Sequence, residues 1–314
     1  MKIIEWNCQG ALRKKHKRIL SEKPDILVVS ECEAEAKLKF GDLTPKPNDF
    51  FWYGDSPNKG IGVFSYSDYK FELLPCFNPR FRYIIPLKVT SKESSFLLFA
   101  IWAMGNQENP NSRYIGQVWQ AINFYEELFS VPCILTGDFN SNKIWDEKAR
   151  VGTHSDMITF LGRYKIYSLY HLQEQIEQGE EPHPTFHLHR NLKKPYHIDY
   201  FFASESIIQK GFKLLLGKAE NWMDISDHIP LTLEYDAKPR LSQQQDSLSD
   251  ILNDKLDKLS KDTQKRFRDI IENLKVSARQ VDRLEEVTEN LSERKKLLEK
   301  YEVLCEIDWL LKKF

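Results

Sequence analysis

A chain of 314 residues with 45 Lys and Arg against 46 Asp and Glu, a formal net charge of −1, has room for one large domain and something smaller. That balance excludes a global electrostatic pull toward nucleic acid or membrane, so any affinity for phosphate must come from a local patch. The longest apolar stretch, Phe96 to Met104, is too short for a bilayer span, and five cysteines without Cys-x-x-Cys spacing exclude a disulfide scaffold.

Lys2 to Asn7 reads as a first strand ending in a polar Asn7, with Gln9-Gly10 turning the chain. No signal-type apolar region precedes it, and the thiols sit in apolar contexts, so the expectation is a cytoplasmic protein with free buried cysteines and no membrane partner. Ala11, Leu12, Ile19 and Leu20 form a stripe among Arg13-Lys14-Lys15-His16-Lys17-Arg18, which predicts a surface helix over 11–22 ended by Pro24. Such a basic run is more often a solvated face than a binding site. Asp25 to Glu31 is an apolar run closed by a carboxylate, the pattern of a strand buried on both faces. Glu31 fits either a site or the first turn of a helix over 34–40.

Residues 41–58 read as a loop carrying Phe50, Phe51, Trp52 and Tyr53, and strands are expected at 61–66, 69–74, 82–89 and 95–102. Gly60 and Gly62 lack the spacing of a nucleotide fingerprint and point to a close backbone approach or a bulge. Ile115, Val118, Trp119, Ile122, Tyr125 and Phe129 recur at helical spacing. Cys133 to Ser141 then forms a buried strand that exits through Gly137-Asp138-Phe139-Asn140. Side chains alternate, so Asp138 and Asn140 project together while Phe139 returns to the core. A carboxylate beside an amide can orient a water and a phosphate oxygen, although the same residues are the commonest turn formers.

Ser155 is the expected cap of a helix over 156–163, and 164–184 reads as loop and short helix. The segments 185–189 and 197–202 both alternate and are expected to be neighbouring strands. Asp199 lies inside an apolar run, where an unpaired carboxylate costs several kcal/mol, so it needs a partner or a cation. A strand at 212–216 precedes Asp227-His228 and a last strand at 231–235. An adjacent Asp can fix an imidazole's tautomer, though an incidental histidine in a capping loop fits as well. Past a boundary near 236 and a linker over 237–247, residues 248–314 contain neither Gly nor Pro, and Leu recurs by threes and fours, predicting a helical bundle, coiled coil or docking module.

Taken in order, Trp6-Asn7-Cys8-Gln9-Gly10, Pro24-Asp25-Ile26-Leu27 through Ser30-Glu31, Gly60 to Ser65, Gly137 to Asn140, His197 to Tyr200 and Ser226-Asp227-His228 resemble the blocks of the endonuclease/exonuclease/phosphatase superfamily over residues 1–236. The resemblance implies an α/β fold, a two-sheet β-sandwich flanked by helices in four layers, with the all-α C-terminal module outside it. It implies Glu31 as the principal metal ligand with Asn7 beside it, and Asp227 near both. Asp138 would activate water, Asn140 would hold water or phosphate, Asp199 would serve the metal or His228, and Asp227 would hold His228 against a phosphate oxygen. Hard oxygen ligands point to Mg2+ or Mn2+. Trp102 stands where many members have His or Tyr, and an indole cannot transfer a proton at neutral pH. Gln9 stands where apurinic endonucleases have Asp, which weakens an abasic-site reading.

The expected activity is metal-dependent phosphodiester hydrolysis of nucleic acid, DNA rather than RNA, with Lys59, Arg80, Arg82, Trp102, His187 and His189 on the substrate side. The alternatives are a phosphomonoesterase for a small or lipid phosphate, and an inactive platform whose tail binds a partner. The tail's mixed charge suits a homo-oligomer or protein partner through 248–314.

Overall fold

In the computed structural model, which describes residues 1–107, 109, 113–147 and 152–236, the chain begins with two strands joined through a helix: β1 (Lys2–Asn7), α1 (Leu12–Leu20) and β2 (Ile26–Cys32). It continues through α2 (Glu35–Leu38), β3 (Asp49–Ser56), β4 (Lys59–Ser65), β5 (Lys70–Leu73) and β6 (Ile84–Thr90). A second strand–helix–strand unit follows: β7 (Ser95–Trp102), α3 (Ile115–Phe124) and β8 (Cys133–Asp138). Then come α4 (His154–Arg163), β9 (Ile166–Ser168), α5 (Leu169–Glu174), β10 (Phe186–His187), β11 (Pro195–Tyr196), β12 (Asp199–Ser204), α6 (Glu205–Ile208), β13 (Phe212–Leu216), α7 (Ala219–Trp222) and β14 (Leu231–Tyr235). These strands lie in the compact unit formed by Met1–Leu73 and Asn78–Arg240.

Two mixed six-stranded sheets result, ordered β13-β14-β1-β2-β4-β3 and β5-β6-β7-β8-β12-β9. Each contains one parallel pair, β1 with β2 and β7 with β8, because a crossover helix returns the chain to the same end. These pairs face one another across the sandwich. The two-residue period of β1 sorts its side chains. Ile4, Trp6 and Cys8 join Leu12, Ile19, Leu27, Val29 and Trp222 in the outer core under α1 and α7, while Asn7 reaches Asp138 of the other sheet. On the second sheet an aromatic layer of Phe99, Tyr125, Phe129, Phe160 and Tyr164 packs α3 and α4.

Several expectations need correction. Residues 49–56 are a strand rather than loop, because Phe50 and Trp52 pack against the outer core beside Phe64. The helix expected over 34–40 spans only Glu35–Leu38 and stops at Lys39 in the left-handed region. The α3 helix ends at Phe124 and passes into a 3-10 turn at Glu126–Ser130. Thr153, not Ser155, caps α4, in a capping box with Asp156. Residues 166–168 form an edge strand on β12. The β10 strand pairs with β11, while β12 pairs with β8 and β9, so 185–189 and 197–202 are not laddered together. The helical module at 248–314 and the linker at 237–247 lie outside the described residues. No helix among the described residues is long and apolar enough to cross a membrane. Cys8, Cys32 and Cys133 are free thiols.

Candidate active site

The ends of β1, β8 and β12 meet the segment before β14 in one buried polar cluster. The register pairs Asp199 with Asp138 across the antiparallel β12–β8 ladder, so both carboxylates arrive at one edge. Gly137 makes this possible. Its φ is +136°, and a Cβ there would sit 1.9 Å from the Ile101 carbonyl oxygen, so only glycine allows β7 to close on β8 next to Asp138. Asp138 accepts hydrogen bonds from Asn7 Nδ2 at 2.9 Å, Asn140 Nδ2 at 2.9 Å and the Asn140 backbone N–H at 2.8 Å. Asn140, in the left-handed region at φ 46°, also donates to the Ala103 carbonyl at 3.0 Å, while Phe139 is fully buried.

His228 donates Nδ1–H to Asp199, whose two oxygens both lie 3.0 Å away, and its Nε2 is 3.9 Å from Asp138 Oδ2. The segment carrying it is tied to β1. Ser226 Oγ donates to the Asn7 carbonyl at 2.8 Å, and Trp6 Nε1 donates to the His228 carbonyl at 3.1 Å. The sequence expectation that Asp227 holds His228 is therefore corrected. Adjacent residues in an extended segment point apart, and Asp227 Oδ2 instead accepts from Gln9 Nε2 at 2.7 Å. Gln9 Oε1 in turn accepts from Arg190 Nε at 3.0 Å and Nη2 at 2.5 Å. Lys15 Nζ donates to the Cys8 carbonyl at 2.5 Å, which adds a second cation at this rim.

Burial opposes charge on His228, but the carboxylates of Asp199 and Asp138 outweigh it and raise the imidazole to about 9. Burial, aided by Asp199, pushes Asp138 up against the pull of His228 and its amide donors. Glu5, two residues before Asn7 and 1% exposed, is pushed well above the carboxylate range by burial and then by Asp199 and Asp138. Neither of its oxygens has a hydrogen-bond partner among the described residues. Three inward carboxyl groups thus crowd one imidazole, and burial together with the neighbouring Asp199 and Asp138 favours the protonated form of Glu5.

Glu31 sits on a β-bulge between Ser30 and Cys32 with φ 58°, which turns its side chain away from the ladder. Its Oε2 pairs with Lys59 Nζ at 2.5 Å. Among the described residues, one set of His and carboxylate ligand atoms lies within 4.8 Å of one another: Asp138, Asp199 and His228. One imidazole and two carboxylates are donors that a divalent cation takes, and within this set His228 Nδ1–H is hydrogen-bonded to Asp199. The Glu31 carboxylate, with Asn7 on the neighbouring strand and partly buried Asp227, presents oxygen donors of the kind that suit a hard divalent cation.

The expected substrate-side residues scatter. Trp102 is buried, in register with Asp138, with its ring 4.8 Å from Tyr83. Arg82 pairs with Asp55 at 3.6 Å and Arg80 is exposed. His189 is exposed, whereas His187 is buried and burial lowers its pKa. The basic run is partly committed: Arg13 pairs with Glu33, and Arg18 lies 5.5 Å over the Trp222 ring. Sequence reasoning missed Glu5 and Arg190. A charge inside an apolar strand was the available signal for Glu5; nothing local marks Arg190.

The endonuclease domain of TRAS1, a telomere-specific non-LTR retrotransposon, superimposes with TM-score 0.52 at 14% identity, over 76% of this chain and 99% of that one. An AP endonuclease from Archaeoglobus fulgidus gives 0.54 at 15%, over 75% and 99%. An endonuclease/exonuclease/phosphatase from Beutenbergia cavernae gives 0.50 at 13%, over 76% and 72%. At such identities the likeness is one of fold. Among curated proteins, no sequence matches. The family model described as Endonuclease/Exonuclease/phosphatase family matches residues 4–228, through every strand end of the site. The chain belongs to that family of divalent-metal-dependent phosphoester hydrolases.

Proposed function

We propose that this protein is a phosphodiesterase that hydrolyses nucleic acid, DNA in preference to RNA, by in-line attack of water. The observation that carries the reading is the convergence of Asn7, Asp138, Asn140, Asp199 and His228 from separate strand ends on one buried polar cluster. Two fold neighbours that bear nuclease names support nucleic acid over a small phosphate.

Glu31, with Asn7 and Asp227, would hold magnesium or manganese, which when bound polarises the phosphoryl group and stabilises charge on the leaving oxygen. Asp138, its proton affinity raised by burial, takes the proton of the attacking water, and Asn7 and Asn140 fix the direction of its oxygens. His228, oriented at Nδ1 by Asp199, presents a charged Nε2–H to a non-bridging phosphate oxygen. Trp102 lines the wall and moves no proton, so the leaving oxygen takes its proton from solvent. Lys59, Arg80 and Arg82 supply cations for the phosphate backbone, and His189 a hydrogen-bonding imidazole.

The test is cleavage of labelled single- and double-stranded DNA and RNA with magnesium, manganese or chelator. Cleavage should require the ion, vanish in Glu31→Ala and fall about 10²- to 10⁴-fold in Asp138→Asn. Turnover of small phosphomonoesters without cleavage of any nucleic acid would replace this reading with a phosphomonoesterase.

A further inference from the structure

We infer that Trp145 and Tyr196 form a stacking platform for an unpaired nucleobase at the outer end of a run of rings that starts at His228, so that the enzyme engages single-stranded or frayed nucleic acid in preference to intact duplex. The inference rests on the phosphodiesterase reading above. Trp145 is 47% exposed and the adjacent Ile144 56% exposed, so the two present an apolar surface to solvent.

This surface is rigidly held. The 3-10 turn Lys143–Trp145 begins three residues after Asn140, and its cap Asn142 is buried. Asn142 accepts from the Ile144 N–H at 3.0 Å and donates to the His197 carbonyl at 2.9 Å. Asp146, immediately after the turn, accepts from the first two N–H groups of α4 at 2.8 and 2.9 Å. An exposed indole on so fixed a turn is presented to a ligand with little left to order.

Continuity with the site identifies the ligand. The Trp145 ring lies 5.1 Å from Tyr196; Tyr196 pairs across the β10–β11 hairpin with Phe186, the rings stacked at 6.4 Å; and Phe186 lies 4.6 Å from the His228 imidazole. Aromatic rings therefore run without a break from the imidazole at the phosphate to an indole in solvent. Exposed cations flank the outer end: Lys143 on the turn, and Lys193 and Lys194 on the hairpin tip. Rings for bases beside cations for phosphates are the two elements of a single-strand groove, and a base still paired in a duplex has no free face to stack.

The test is equilibrium binding of a labelled oligothymidine and of a hairpin duplex to the full chain carrying Asp138→Asn, with magnesium present. Single strand should bind more tightly than duplex. Adding Trp145→Ala should weaken single-strand binding roughly 5- to 150-fold and leave duplex binding unmoved, and Trp145→Phe should restore most of the loss. Binding of the single strand should quench indole fluorescence, and the quench should shrink in Trp145→Phe although affinity is kept. Single-strand affinity unchanged in Trp145→Ala, or equal losses for both ligands, overturns the platform; cleavage of nucleic acid by the unsubstituted protein then leaves the phosphodiesterase reading standing. An unsubstituted protein that neither binds nor cleaves nucleic acid overturns both.

Discussion

Behind Asn140, two histidines are held neutral by their surroundings. His154 bonds Ser141 Oγ through Nδ1 at 3.1 Å and Gln178 Oε1 through Nε2 at 3.2 Å. His197 donates Nδ1–H to the His183 carbonyl at 2.7 Å, and its buried Nε2 has no partner among the described residues. Burial lowers both from 6.5 to about 4. A group depressed in the folded state contributes stability that is fully present above its unfolded pKa and lost as pH falls toward the folded one. Each histidine thus favours folding above pH about 6.5 and withdraws up to about 3 kcal/mol by pH 4. Because the raised carboxyls of Asp138 and Glu5 gain stability over the same range, the test is a difference: the urea midpoint of His197→Gln should rise relative to that of the unsubstituted protein as pH falls from 6.5 to 5, and a difference constant between pH 8 and 5 would contradict the assignment.

At the scale of elements, the site depends on local departures from ideal strands. The bulge at Glu31 turns one carboxylate outward, and Gly137 lets β7 approach β8. Gly137→Ala combines a disfavoured φ with overlap onto backbone, and should cost on the order of 3 kcal/mol or more in urea unfolding, with activity lost beyond what the lost stability explains. Much of this was readable from the sequence. A polar residue closing an apolar run is a local pattern, so Asn7, Glu31, Asp138 and Asp199 could be marked as strand ends, and the period of two placed Phe139 inward. The unread parts are long-range. Which carboxylate holds His228 depends on how two sheets stack, and Asp199 lies 29 positions from it. Residues 49–56 were hidden because Asp49, Gly54 and Asp55 look like loop, whereas pairing with β4, which sets Phe50 beside Phe64 on the outer core, decides the strand. Arg190 reaches Gln9 across 181 positions, beyond any window.

The whole molecule divides its site between the sheets. Asn7, Glu31, Asp227 and His228 come from one, Asp138, Asn140 and Asp199 from the other, so the chemistry exists only while the sandwich is closed. The ion pair between Glu31 and Lys59 carries that argument beyond structure. Lys59 meets the Glu31 carboxylate and His228 meets that of Asp199, so each of these acids has a partner within the chain itself. Chelation should therefore silence this protein without melting it: excess EDTA is expected to move Tm by no more than about 3 °C while abolishing turnover. Activity should return in full when the ion is restored, with no refolding step. A large drop in Tm would instead make the metal part of the scaffold. If Tm holds, the ion works as a removable switch, and the protein can be kept dormant, handled and stored in chelator, then started on demand.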